Sequence, residues 1–454
     1  MKFYGRVQET EALRSELRLS LTHSRLAVIT GRRRVGKTKL ILKVAGESGR
    51  PMLYFLCRRK YGQQELAEVW MDEIRRIFDL GEDEGPRRLT LANVVKFVMK
   101  LSQTKPCVLI LDECQELDYV APTFWADLQG VWDLERENSK LLLMMSGSIA
   151  AAIRHIFDDA SEPLFGRQDL SLKLRPFSPV LLREIFLDFN PQGTADDLLT
   201  YYAVTGGVAR YAAYLAETVP LTREAIIEHV FSEGGNFMRT DGATLLANEF
   251  RTESPVYERI LREIASGATK WNEICDRLHE QNIAGYMDRL IRQYGLVRKV
   301  SPLFSSSNRG VRYAIADPYF RFWFRFVEPA QCQTLSALGN WEALRSLCLG
   351  ALDQFTGRTL EDWFHALYGA DPHWTMTGCW WDRQGENEID LVALNQLTNR
   401  LQIFEIKRNP QKLDMSVLAM KAAAFMKNCG AQLKKYDPPQ LKGLSMADVL
   451  TDHA

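Results

Sequence analysis

The chain has 454 residues, of which 46% are hydrophobic, 25% charged and 10% aromatic, with 57 Lys plus Arg against 57 Asp plus Glu. At about 150 residues per domain this is two to four domains of ordinary globular sequence, which excludes a disordered or fibrous chain. Zero net charge excludes a global pull toward nucleic acid or membrane, so any such partner must meet a local patch. No apolar run approaches the roughly 18 residues of a membrane helix. The start, MKFYGRVQET, lacks a signal-peptide stretch, so a cytoplasmic protein with no membrane partner is expected. The eight cysteines form no CxxC pair and read as reduced core thiols.

Over the first two hundred residues, short apolar runs alternate with helical patterns. LAVIT (26–30) leads into GRRRVGKT (31–38) and a helical stretch from Lys39. Further strands are expected at 52–57, 107–111, 141–146 and 170–174, with helices near 63–79, 91–103 and 122–137. Continuous apolar strands separated by helices predict a parallel sheet covered on both faces, an α/β architecture. The loop GRRRVGKT fits GxxxxGK[ST], which needs a strand before it and a helix after it. Gly31, Arg34, Val35 and Gly36 would turn backbone N–H groups onto phosphate oxygens of ATP. Lys37 would carry a point charge to the β and γ phosphates, and Thr38 would offer its hydroxyl to Mg²⁺. The run CVLILDEC ends its apolar stretch in Asp112 and Glu113, placed to hold the Mg²⁺ shell and to polarise the attacking water. In MMSGS, Ser146 is either a hydrogen-bond donor to the γ-phosphate or water, or an ordinary turn residue.

FYGR (3–6), GRRRVGKT, LILDE, SGS (146–148), FGR (165–167) and TGGVARY (205–211) together resemble the archaeal-type ATPases of the AAA+/STAND group over the first 215 residues. The resemblance implies an AAA+-like P-loop NTPase core with Gly5 and Arg6 near the adenine. It also implies an arginine-finger-like Arg167, acting in cis or on a neighbour in a homo-oligomer, and a helical lid that starts at the Gly206–Gly207 turn.

From 256 the pattern shortens to three helices, at 254–267, 269–280 with Thr269 as N-cap, and 282–295, followed by two strands, LVRKV and VRYAI. Three helices and a β-hairpin is the winged-helix order. Arg289, Arg292, Arg309 and Arg312 would then lie near a DNA backbone, or the module packs as a rigid lid on the ATPase. The aromatic run YFRFWFRF (319–326) reads as core at a domain junction.

In the last 120 residues, ENEIDLVAL (386–394) and LQIFEIK (401–407) flank a polar turn. Paired without a bulge, Leu394 faces Leu401, Asp390 falls opposite Glu405 and Glu388 opposite Lys407, all four polar residues on one face. Ile389, Leu391, Phe404 and Ile406 take the other face. Two acids across a ladder repel unless a cation such as Mg²⁺ or Mn²⁺ sits between them. The pattern resembles the PD-(D/E)xK nucleases and the nuclease-like domain appended to many archaeal-type ATPases. That resemblance implies metal ligands at Glu361, Asp390 and Glu405, and Lys407 as charge stabiliser. Ile389 stands where the proline of the motif name would be.

The expected organisation is an ATPase core over 1–204, a helical lid over 205–255, a winged helix over 256–330 and a nuclease-like α/β domain over 331–454. The expected activity is ATP hydrolysis gating metal-dependent cleavage of nucleic acid, DNA first. The rival is a nucleotide-dependent switch or DNA-binding regulator with a non-catalytic C-terminal domain.

Overall fold

The computed structural model describes residues 2–148, 150–250, 255–305 and 310–451. It divides into two compact units, Tyr4–Arg175 and Pro176 onward, the latter taking in the first three residues.

The first unit is built on five strands: β1 Arg25–Thr30, β2 Met52–Leu56, β3 Cys107–Asp112, β4 Leu141–Gly147 and β5 Leu170–Lys173. They form one parallel sheet in the order β2-β3-β4-β1-β5. β3 and β4 are buried at every residue, as strands covered on both faces must be. Helices Gln63–Phe78, Leu91–Thr104 and Phe124–Glu135 fall where the spacing predicts them. Trp70, Trp132 and Phe124 are fully enclosed between helices and sheet, and Phe55 stacks on Trp70 at 4.7 Å.

The unit closes at Arg175, short of the 204 that the sequence suggested. The reason is helix Ala195–Thr205, whose residues from Asp197 to Thr205 are all buried. Such a helix has no solvent face and belongs to the centre of a core. It packs against helices Pro318–Phe326 and Trp341–Ala370 within the second unit. The expected boundaries at 255 and 330 likewise do not separate compact units. The aromatic run 319–326 welds them together, with Tyr319, Phe320, Phe322 and Trp323 all buried.

Helices Val256–Ala265, Trp271–Leu278 and Ala284–Asp288 precede the antiparallel pair β6 Val297–Val300 and β7 Arg312–Ile315. The second helix is capped by Lys270, not Thr269, because the Glu273 carboxylate accepts from both backbone N–H groups. The third continues through a π-helical turn, Arg289–Gln293, and stops at Gly295, φ 63°.

The C-terminal sheet has the order β11-β10-β9-β8, from β8 Met376–Trp381, β9 Glu388–Asn395, β10 Arg400–Ile406 and β11 Gln440–Leu444. β8, β9 and β10 are antiparallel neighbours; β11 runs parallel to β10 after the crossover helix Met415–Asn428. Leu394 pairs with Leu401, the expected register, and Ile389, Leu391, Phe404 and Ile406 are buried.

Candidate functional sites

β1 ends at Thr30 and the chain turns through Gly31–Gly36 into helix Lys37–Glu47. Gly31 adopts φ 146°, and a Cβ there would stand 2.6 Å from the Leu174 carbonyl oxygen beyond β5, so no other residue lets the loop pass. Arg34 is held at φ 70°, a conformation costing a non-glycine residue roughly 1–2 kcal/mol. Lys37 is only 6% exposed and donates to the carbonyls of Gly31 at 2.8 Å and Arg32 at 3.2 Å, so its ammonium sits inside the loop.

Asp112, at the end of β3, is 4% exposed. Its Oδ2 accepts from Thr38 Oγ1 at 2.7 Å and from the Tyr54 hydroxyl at 2.8 Å, and its Oδ1 accepts from Ser146 Oγ. Burial and the Asp112 charge push the Tyr54 phenol far above its usual range, so it stays a donor. Glu113 takes φ 55°, which turns its side chain away from that of Asp112. Its Oε2 accepts from Ser148 Oγ at 2.7 Å and Gln115 Nε2 at 2.6 Å. Two carboxylates, consecutive in the chain, are thus aimed by two serines of β4 and its exit. Thr38 and Asp112 are adjacent oxygen donors, the hard set that Mg²⁺ takes.

Three expectations change here. Ser146 is fully buried and donates to Asp112, so its hydroxyl positions that carboxylate. Arg6 donates to the Val35 carbonyl at 3.3 Å, to Arg175 and to Glu9, bracing the P-loop from behind. Gly5 and Arg6 are consecutive left-handed residues, φ 57° and 59°, that wrap the chain onto the loop. Arg167 makes a two-pronged pair with Asp133, at 2.9 and 2.8 Å. It precedes β5, whose first residue pairs with Ala27 while its last pairs with Thr30. Arg167 therefore stands at the sheet edge where strands begin, opposite the P-loop, which removes its cis role.

The second site joins helix Trp341–Ala370 to the β9–β10 hairpin. The ladder stops at Leu391–Phe404, one pair short of Asp390 and Glu405. There the Asp390 carboxylate accepts from the Ile406 backbone N–H at 2.8 Å in place of a ladder bond. Lys407 Nζ lies 2.7 Å from Glu405 and 3.4 Å from Asp390, and Lys421 binds both Glu405 oxygens at 3.0 and 2.8 Å. Burial raises the Asp390 carboxyl. Burial raises Glu405 too, but hydrogen bonds from Lys407 and Lys421 outweigh it and hold Glu405 below the usual range. Glu361 is pushed up to about 7 by burial and then by the charge of Asp390. The donors are all hard oxygens, as Mg²⁺ or Mn²⁺ requires. The geometry does not match, for no three acidic, histidine or cysteine side chains among the described residues stand close enough to hold an ion. Glu405 is turned onto two ammonium groups instead, so the three-ligand set expected at Glu361, Asp390 and Glu405 is not assembled and no step is assigned to a cation there.

Of the arginines expected to face DNA, Arg292 has 81% of its side chain exposed, while Arg289 and Arg312 make contacts within the unit. Arg312 pairs with Glu388 at 2.6 Å and lies over Trp381, so Glu388 is not the partner of Lys407. Arg289 donates to the Tyr257 hydroxyl and Arg292 pairs with Asp288. Arg309 lies outside the described residues. The sequence reading missed Tyr54, Ser148, Gln115 and Lys421. Ser148 was accessible in principle, since it lies two residues beyond Ser146 and a strand repeats its facing every second residue.

Residues 3–215 match a family described as an ATPase domain predominantly from Archaea, and residues 323–416 one described as archaeal and bacterial proteins of unknown function. An uncharacterized protein of Methanocaldococcus jannaschii is 24% identical over 410 residues, 89% of this chain and 87% of its own. The Walker-type ATPase of Pyrococcus abyssi has a similar fold, with TM-score 0.53 and 20% identity over 71% of this chain and 96% of that one. The ORC2 protein of Aeropyrum pernix, in ADPNP–ADP complexes, aligns at TM-score 0.49 and 15% identity over 77% of this chain and 96% of that one. The parallel sheet, the P-loop and the matched domain define a P-loop ATPase. Residues 3–215 carry the ATPase domain, and residues 323–416 match that second family. No described helix is long and apolar enough to cross a membrane.

Proposed function

We propose that this ATPase couples nucleotide turnover to a C-terminal site that cleaves a phosphodiester of nucleic acid. Lys37, Gly31, Arg34, Val35 and Gly36 take the phosphates of ATP, Thr38 and Asp112 hold Mg²⁺, and Glu113 polarises the attacking water. Gly5 and Arg6 support the loop beside the base. Arg167, on the far edge of its own sheet, would meet a γ-phosphate only on a neighbouring copy, so the proposal includes a homo-oligomer.

The observation that supports the C-terminal half is Asp390, which pairs with the Lys407 ammonium at 3.4 Å and whose charge helps push the Glu361 carboxyl up to about 7. An acid titrating near neutrality suits protonation of a leaving oxygen, and a half-buried lysine suits a phosphoryl oxygen that gains charge. The grip of Lys407 and Lys421 on Glu405 favours a second reading, a nucleotide-dependent switch whose C-terminal domain does not cut.

The test is a cleavage assay on linear, circular and single-stranded DNA and on RNA, with Mg²⁺, Mn²⁺ or chelator, with and without ATP. Cleavage that Asp390→Ala and Lys407→Ala abolish while ATP hydrolysis persists supports the first reading. ATP hydrolysis with every substrate left intact leaves the switch.

A further inference from the structure

Within the second unit a cavity of about 320 Å³ opens between the turn after helix Val256–Ala265, β7, helix Pro318–Phe326 and helix Trp341–Ala370. Its walls carry three arginines, Arg321, Arg325 and Arg358, with Thr269 and Tyr313, and not one carboxylate. Arg321 is held by Asp362 and Thr359, yet its Nε is buried without a hydrogen-bond partner. Arg325 and Arg358 are exposed and have no ion-pair partner among the described residues. Burial raises the Tyr313 hydroxyl above its usual range, so it remains a donor.

Arg325 and Arg358 bring two charges without a carboxylate partner to one concave surface, beside an Arg321 that Asp362 compensates, so the cavity's own charge favours an anion. An arginine on a convex surface is ordinarily a solvated charge. Here two lie in one cleft, against a third on whose helix Arg325 sits one turn later. Guanidinium forks match the oxygens of a phosphate, and hydroxyl donors complete such a site. Arg358 also stands three residues before Glu361 on the same helix, close enough for its charge to act on Glu361 and Asp362. The cleft therefore borders the carboxylate–lysine site.

We infer that this arginine-lined cavity binds a backbone phosphate of the nucleic-acid strand presented to the carboxylate–lysine site. The cavity as a phosphate site stands on its own lining; the identity of the strand rests on the function proposed above.

The test compares the full-length chain with Arg325→Glu/Arg358→Glu by fluorescence anisotropy of labelled single-stranded DNA, duplex DNA and RNA, in chelator, over a series of salt concentrations. Inorganic pyrophosphate, titrated calorimetrically, is the small-anion probe. Arg325 and Arg358 belong to the second compact unit, so an unchanged far-ultraviolet circular-dichroism spectrum and thermal unfolding transition report its intact fold. The expected result is about a tenfold or greater loss of affinity and a salt slope smaller by about 0.7 to 0.9, the value for one phosphate no longer neutralised. Equal affinity and slope in the variant would overturn the inference. So would arginine-dependent binding of pyrophosphate with no binding of any oligonucleotide, which would assign the cavity to a free phosphate ligand. Arginine-dependent binding without cleavage sinks the cleavage reading and keeps the cavity, whereas cleavage with unaltered affinity does the reverse.

Discussion

Arg408 donates to the Asp196 carboxylate, which ties the residue after Lys407 to a helix 212 positions earlier in the chain. The same guanidinium reaches Thr356 at 2.8 Å and Asp353 at 3.2 Å, and Arg223 shares both Asp353 and Asp196. The helix that carries Asp196 runs directly into Gly206, so the C-terminal sheet and the Gly206–Gly207 turn hang on one network. Gly207, φ 69°, lies so close to Phe177 that a Cβ would come within 2.6 Å of its carbonyl oxygen, which leaves the turn no slack.

That network predicts a measurable coupling. Asp196 and Arg408 are partly exposed, 39% and 23%, so water weakens each contact. A double-mutant cycle of Asp196→Ala and Arg408→Ala, read by urea unfolding, should give about 1 kcal/mol of interaction. A value indistinguishable from zero would mean that the contact does not hold the two elements together.

Glu361 predicts an unusual dependence on pH. Its carboxyl titrates near 7 in the fold against 4.5 in the reference chain. Between those values the unfolded chain has lost a proton that the native state retains, so rising pH removes stability until about 7 and no further. Glu361 is exposed, so water screens the effect and the loss stays well below the roughly 3 kcal/mol that such a shift would give a buried acid. Glu361→Gln should therefore be more stable than the parent at pH 8 and close to it at pH 4. Parallel pH profiles for parent and variant would remove the basis for this account of Glu361.

Asp362 should behave in the opposite sense. It lies between Arg321 on helix Pro318–Phe326 and Arg298 on β6, with 12% of its side chain exposed. Burial alone would raise its carboxyl, but the two arginines and Arg358 outweigh it and hold it at about 2. This contribution is present above the reference value of 3.8 and fades as pH falls through 2. Asp362→Ala leaves Arg321, with 11% of its side chain exposed, and the more open Arg298 without their carboxylate and should cost about 3 kcal/mol at neutral pH. Thermal denaturation that shifts by less than a few degrees would contradict a structural role.

The sequence disclosed what is encoded over short spans. The P-loop and the Asp112–Glu113 pair sit at strand ends, where a run of apolar residues stops at a charge, and both are where the spacing predicts. The register of β9 against β10 was legible because a period of two leaves only one way to bury Ile389, Leu391, Phe404 and Ile406 together. Long-range pairing was not legible. Nothing near Arg312 announces Glu388, nothing near Arg167 announces Asp133, and nothing near Asp196 announces Arg408. Lys421 escaped for the same reason: it lies on a crossover helix whose direction over the sheet, not its sequence, brings the ammonium onto Glu405. The expected segment 1–204 runs past the compact unit that ends at Arg175 because a helix buried all round looks, in sequence, like one more covering helix of the first sheet.

Gly31→Ala tests the P-loop without touching a charged group. The new methyl would meet the Leu174 carbonyl at 2.6 Å from a backbone at φ 146°, so the loop must shift. Nucleotide affinity should fall at least about tenfold, in line with a displaced phosphate cradle. Wild-type affinity for ATP in this variant would show that the loop tolerates what its geometry forbids.

The most direct measurement pairs ATP binding with phosphate release for the parent, Lys37→Ala and Glu113→Gln. The account predicts that Lys37→Ala neither binds nor hydrolyses ATP. Glu113→Gln should bind as the parent does and hydrolyse about a hundredfold slower or less, since it keeps the phosphate cradle and loses the group that polarises water. Hydrolysis at the parental rate in Glu113→Gln, or undiminished nucleotide affinity in Lys37→Ala, would contradict the assignment of this site.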